Sequence, residues 1–214
     1  MSETPNAFQS MDRMYRFQRH FYDLTRKYYL LGRDRLLEDI NVAEGDAVLE
    51  AGCGTGRNLI MLAKRNPQAQ FYGLDASAAM LETAAGNAKG LKNISFVTAL
   101  ADDFTFAAIG CERPFNKIFF SFSISMIPSW RESIDTALEN ICVGGELWIV
   151  DFYDQKRLPA IFARSLQWWL SKFHVKFWPD LLPHLKNLES KKVVSLSIMP
   201  LYGSYSFIAR MQKL

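Results

Sequence analysis

A chain of 214 residues with 49% apolar and 22% charged side chains has the composition of an ordinary globular protein, long enough to bury a full core. Its 25 Lys and Arg against 22 Asp and Glu leave a formal charge of +3, too small to argue for nucleic acid by itself. Three scattered cysteines, Cys53, Cys111 and Cys142, argue against a disulfide framework and a zinc site and fit a reducing compartment.

In chain order, Phe8–Asp39 reads as a helical, aromatic and basic arm. It lacks the basic-then-apolar order of a signal peptide, and no apolar run approaches the roughly 20 residues of a membrane span. Any membrane contact is therefore expected to be peripheral, and the Asn93-Ile94-Ser95 sequon to be without consequence. Strands are expected at Ala47–Ala51, Gln70–Asp75, Ile94–Leu100, Asn116–Ser123 and Gly145–Phe152, the last opened by a Gly144-Gly145 turn. Helical patterns fall between them at Asn58–Lys64, Ala78–Ala88 and Glu132–Ile141. This alternation predicts a doubly wound α/β fold, a mostly parallel sheet covered on both faces. The rhythm then breaks. Ile161–Phe173 is helical, and the strand-like Val193–Ile198 and Ser204–Met211 flank a Tyr202-Gly203 turn so short that they must run antiparallel.

The first strand runs into Glu50-Ala51-Gly52-Cys53-Gly54-Thr55-Gly56. With no side chain at every second position, a ligand can lie directly against backbone, and the following helix offers its N-terminal N–H groups. A dinucleotide turn needs G-x-G-x-x-G, and Arg57 stands where the third glycine belongs. A P-loop needs a Lys that is absent here.

E-x-G-x-G-x-G after a first strand resembles motif I of the class I S-adenosylmethionine-dependent methyltransferases, whose fold is Rossmann-like. The resemblance implies that Glu50 anchors the methionine amino group while Gly52, Cys53, Gly54 and Gly56 pass beneath the cofactor. It implies that Asp75, ending the second strand, grips the ribose hydroxyls, beside Ala76 and Met80. Ala101 and Asp102, after the third strand, match the adenine-edge position, and Ser121 lies at the end of the fourth. A carboxylate accepting two hydroxyl hydrogen bonds is the physical reason for an acid at the ribose.

The flanks resemble a narrower family. YDLTRKYYLLGRD (Tyr22–Asp34), GCGTGRNL (Gly52–Leu59) and SFSISMIPSW (Ser121–Trp130) are similar to segments of the diacylglycerylhomoserine N-methyltransferases of betaine-lipid synthesis, and the likeness runs from Met14 to Ala209. It implies three methyl transfers to the amine of a diacylglycerol ether lipid. The partner it implies is the enzyme that makes that lipid, and the location is the cytoplasmic face of a membrane. Tyr22 and Tyr28 are the candidates for catalytic contact, with Tyr15, Tyr29, Phe122 and Trp130 as further aromatic neighbours of the sulfonium and ammonium charges. Arg26 and Arg33 are suited to pairing with a carboxylate, of the cofactor or of homoserine. His20 is suited to relaying a proton, although a surface position explains it equally. Arg157–Leu182 carries Trp168, Trp169 and Trp178 with Arg164, Lys172 and Lys176. That composition fits an interfacial helix, with Phe173 beside the tryptophans, and fits a cap over the pocket equally.

The expected organisation is one domain, divided into an arm over the active site (1–44), a cofactor core (45–156), an aromatic lid or membrane-contact segment (157–190) and terminal strands (191–214). A phosphatidylethanolamine methylase, a soluble small-molecule methyltransferase and a non-catalytic cofactor-binding module remain open as alternatives.

Overall fold

The computed structural model describes residues 30–154 and 175–214. Seven strands form one sheet: β1 (Ala47–Ala51), β2 (Gln70–Asp75), β3 (Ile94–Thr98), β4 (Phe115–Ser121), β5 (Ile141–Phe152), β6 (Val194–Leu201) and β7 (Ser206–Lys213). Their order across the sheet is β3-β2-β1-β4-β5-β7-β6, with β1 to β5 parallel and β7 antiparallel to both β5 and β6. The helices are α1 (Arg33–Asp39), α2 (Arg57–Arg65), α3 (Ala78–Asn87), α4 (Trp130–Glu139) and α5 (Leu181–Ser190).

Strand β1 is buried at all five positions because helices cover both faces of the sheet centre. Alternate residues therefore feed two cores. Leu49, Ile118, Phe120, Leu147, Ile149 and Phe207 point to one face, whereas Val48, Phe119, Trp148, Val150 and Ile208 point to the other. Side chains such as Phe119 and Phe120, each fully buried, contribute roughly 1.5–3 kcal/mol apiece by leaving water.

The doubly wound sheet and the antiparallel C-terminal pair are as the sequence pattern predicts. Several boundaries differ. Strand β5 starts at Ile141, not at Gly145, so the two glycines lie within it. Between Phe115↔Ile141 and Lys117↔Glu146 the register shifts, and a Cβ on Gly145 would sit 2.9 Å from the Asn116 carbonyl oxygen. Helix α4 begins earlier, at Trp130, and ends at Glu139. Helix α5, which the sequence pattern does not predict, begins at the end of the aromatic stretch and runs on to Ser190. Strand β7 lies between β5 and β6, so the terminal pair extends the main sheet. The expected arm is described only from Leu30, and the Ile161–Phe173 helix lies outside the described residues.

The chain turns back between β1 and β4, where strand order reverses. In an open α/β sheet, the crevice beyond the strand C-termini at such a point is where ligands bind.

Candidate active site

Two adjoining spaces open at that reversal. A cavity of about 280 Å³ is lined by Gly52, Gly54, Asp75, Ala76, Met80, Ala101, Asp102 and Ser121, together with Leu74, Ala99, Leu100, Phe122, Ser123, Met126, Ile127, Pro128 and Ser129. A smaller cleft, lined by Leu30, Arg33, Glu50, Gly52, Cys53, Thr55, Arg57, Asn58 and Ser121, shares Gly52 and Ser121 with it. Eleven of the fourteen candidate residues line these spaces, and Tyr22 and Tyr28 lie outside the described residues. Gly56 does neither. It caps α2 with φ 76°, and a Cβ there would meet Phe96 Cζ at 3.0 Å and Ala84 at 3.1 Å, so it serves helix packing.

At the cleft, Glu50 is 1% exposed, and its Oε1 accepts a 2.6 Å hydrogen bond from Asn58 Nδ2. Its other oxygen, Oε2, has no hydrogen-bond partner among the described residues, and neither has Ser121 Oγ. Burial pushes the Glu50 carboxyl up to about 8, against the opposing effects of Asn58 and the nearby Arg33 guanidinium. A buried acid with an unused oxygen beside a buried arginine suits a zwitterion carrying both an ammonium and a carboxylate. Asn58, the residue sequence reasoning missed, was visible in GCGTGRNL. Its second place in α2 turns it back toward the strand end.

In the larger cavity, Asp75 Oδ2 accepts from the Gly54 N–H at 2.8 Å and Oδ1 from the Ser77 N–H at 2.9 Å. These bonds hold the carboxylate rigidly at the mouth of β2. The glycine turn is anchored in turn by Gly52 and Cys53 N–H groups, both bonded to the Leu74 carbonyl. A Cβ on Gly52 would stand 2.6 Å from Ser123 Cβ, so this approach admits glycine alone. Farther along, Met80, Leu100, Ala101 and Ile127 make an apolar wall with Asp102 at its edge. Carboxylates at two ends and an apolar slot between them match the parts of S-adenosylmethionine: amino-acid tail, ribose and adenine. The residues fit the group.

Several aromatic expectations come out differently. Trp130 is 2% exposed and packs in the core, 5.4 Å from the His184 ring and 6.3 Å from Trp178. It is a core residue, not an acceptor contact. Phe122 does line the cavity, in a left-handed conformation (φ 54°) and edge-on to Phe152 at 4.9 Å. Tyr15, His20, Arg26, Tyr29, Trp168, Trp169 and Phe173 lie outside the described residues. Among the described residues no helix is long and apolar enough to cross a membrane.

Residues 43–191 match the family model described as a methyltransferase domain. The chain belongs to that family. The domain is of the kind that uses S-adenosylmethionine, in keeping with the fit of the two spaces. Over 71 residues, 31% of this chain, it is 45% identical to an uncharacterized methyltransferase of Emericella nidulans, and over 49 residues, 23% of this chain, 51% identical to trans-aconitate 2-methyltransferase of Deinococcus radiodurans. Those stretches span 25% and 18% of the relatives' own lengths. A solved structure described as a DhpI-SAM-HEP complex superposes with a TM-score of 0.68 over 99% of both chains, at 21% identity, a likeness of fold.

Proposed function

We propose that this protein transfers a methyl group from S-adenosylmethionine to an amine, and that the amine is that of diacylglycerylhomoserine, methylated three times to the betaine. The observation that carries the methyl-donor half is the buried Glu50, with one oxygen unused, in a cleft that shares Gly52 and Ser121 with the Asp75–Asp102 cavity at the strand reversal. Glu50, Asn58 and Arg33 would hold the methionine end, Asp75 the ribose, and Met80, Leu100, Ile127 and Asp102 the adenine. Bound there, the cofactor supplies a methyl group on a positively charged sulfur. The chain's own task is to hold the acceptor nitrogen, as free base, in line with that methyl group and to keep water out.

Support for the acceptor half comes from the sequence: Tyr22–Asp34, Gly52–Leu59 and Ser121–Trp130 carry the wording of the betaine-lipid family. On this reading the protein works at a membrane surface, beside the enzyme that makes its lipid. A soluble acid acceptor is the second reading, favoured by the 51% identity of a 49-residue stretch of the chain to a trans-aconitate 2-methyltransferase.

The test is to incubate the full chain with methyl-labelled S-adenosylmethionine and, separately, mixed micelles of diacylglycerylhomoserine, micelles of phosphatidylethanolamine, and trans-aconitate. Label is expected in diacylglycerylhomoserine, progressing to the trimethylated product. Label confined to either other acceptor overturns the lipid assignment. Failure to bind S-adenosylmethionine by calorimetry overturns the donor.

A further inference from the structure

Strands β1 and β4 lie side by side at the reversal, and side-chain parity sets what each brings to that point. Val48 and Phe119 feed the same core. Two residues farther along each strand, Glu50 and Ser121 stand on that same face. Ser121 ends β4, and Phe122 after it takes left-handed backbone (φ 54°), which turns the chain out of the sheet beside the opening. Such backbone is costly for a bulky residue and gathers at functional sites.

Ser121 is partly exposed, yet its Oγ is buried and makes no hydrogen bond among the described residues. A buried hydroxyl left unpaired opposes folding, so a partner outside the fold accounts for it better than stability does. Rotation about its one side-chain bond is enough to aim the oxygen into the spaces that the residue lines. The next serine differs: Ser123 Oγ already donates to the Ala51 carbonyl at 2.9 Å.

The place of Ser121 decides what that partner is. Among the described residues, the Glu50 cleft and the Asp75 cavity share Gly52 and Ser121 alone. S-adenosylmethionine joins its amino-acid tail to its ribose through the sulfur that carries the methyl group. With the tail in the cleft and the ribose in the cavity, that sulfur must pass the two shared residues. Gly52 brings no side chain, so Ser121 supplies the polar group at the methyl end, where an acceptor has to arrive.

We propose that Ser121 is a catalytic residue that orients the acceptor amine: its Oγ accepts a hydrogen bond from an amine N–H. Fixing one N–H fixes the nitrogen and leaves its lone pair for the methyl carbon. In each transfer that pair forms the N–C bond as the C–S pair returns to sulfur. The first two products then lose a proton to water before reacting again. The inference rests on the amine acceptor argued above and adds the group that aligns it. A primary amine has two N–H groups and its monomethyl form one, whereas the dimethyl form has none. Ser121 therefore assists the first two transfers and is idle in the third.

The test compares the full chain with Ser121→Ala, which gives up no hydrogen bond seen among the described residues. Each is mixed with S-adenosylmethionine and micelles of diacylglycerylhomoserine, its N-methyl form or its N,N-dimethyl form. Single-turnover rates are expected to fall about fivefold in the variant on the first two lipids and to hold within about twofold on the third. Equal slowing on all three makes Ser121 a cofactor contact only and overturns the proposal, as does an unchanged rate on all three. A second measurement needs no acceptor. The methyl proton resonance of bound S-adenosylmethionine, ¹³C-labelled in its methyl group, is expected to shift between parent and variant. The physical reason is that a hydroxyl oxygen against a cationic methyl group polarises its C–H bonds. An unmoved resonance places Ser121 away from the methyl group and overturns the proposal. A parent inactive on all three lipids refutes the lipid assignment instead, and the resonance alone then decides for or against Ser121.

Discussion

Glu50 shows how much chemistry one residue carries beyond its place in a motif. Its position after the first strand was readable from the glycine spacing. Its burial was not, because burial depends on Asn58 and Arg33 closing over it from two other elements. With its pKa raised to about 8 by burial, Glu50 is largely protonated at neutral pH in the free protein. An ammonium bound beside it favours the charged form, so cofactor binding must release a proton. Calorimetry in buffers of different ionisation heat is expected to show release of close to one proton at pH 7 and affinity rising from pH 6 to 8. Glu50→Gln should abolish both effects. Release that persists in this variant would put the titration elsewhere. Asp75 makes a simpler prediction. Asp75→Ala removes charged hydrogen bonds, an expected loss of about 1.5–3 kcal/mol in cofactor affinity, and unchanged affinity by calorimetry would count against its ribose role.

At the scale of elements, the parallel core was readable because each strand is a short apolar run and each following helix has its own period. Boundaries were misread where tertiary pairing overrides local punctuation. Gly144-Gly145 looks like a turn, yet the bulge against β4 carries the strand straight through it. Trp130 looked like a pocket aromatic beside SMIP, yet α4 begins at that residue and turns its ring into the core. Packing between β2, β3 and the glycine turn makes a sharper claim. Gly73 on β2 faces the ring of Phe96 and the thiol of Cys53, and an added Cβ would lie 2.5 Å and 2.8 Å from them. The partly buried Phe96 ring and the glycine turn must both shift to admit it, so Gly73→Ala is expected to destabilise by about 1–3 kcal/mol. Because Cys53 belongs to the cofactor turn, the same variant should also weaken cofactor binding. Urea unfolding and calorimetry on one sample check the pair. A variant as stable as the parent would mean the sheet relaxes more freely than this contact allows.

At the scale of the whole molecule, two buried carboxyls stand at the C-terminal edge of the sheet, on β1 and β5. Glu50 and Asp151, both buried, both have carboxyls pushed upward by burial, to about 8 and about 6. A carboxyl whose pKa is higher folded than unfolded contributes stability below its unfolded value and loses it as pH rises through the folded one. For Asp151 that loss is nearly complete by pH 6.5. His184, lowered by burial, acts oppositely and only below its unfolded value of about 6.5. Glu146 is held low by the Trp148 indole and Arg210 against the upward push of burial, and matters only in acid. Between pH 6.5 and 8.5, therefore, Glu50 leads among the described groups, with the buried Cys53 thiol, also pushed up by burial, adding to the fall near the upper end: already ionised when unfolded, Glu50 ionises in the folded protein only across this window. Linkage then gives a fall in stability of about 2 kcal/mol, or roughly 4–8 °C in Tm for a domain of this size. Thermal unfolding of the cofactor-free chain across that range is expected to show the decline, and Glu50→Gln to flatten it. Saturating S-adenosylhomocysteine should flatten it too, since a ligand ammonium that keeps Glu50 ionised removes the difference between folded and unfolded states. A slope that survives both changes would assign the cost to another group and separate the fold's pH dependence from its cofactor site.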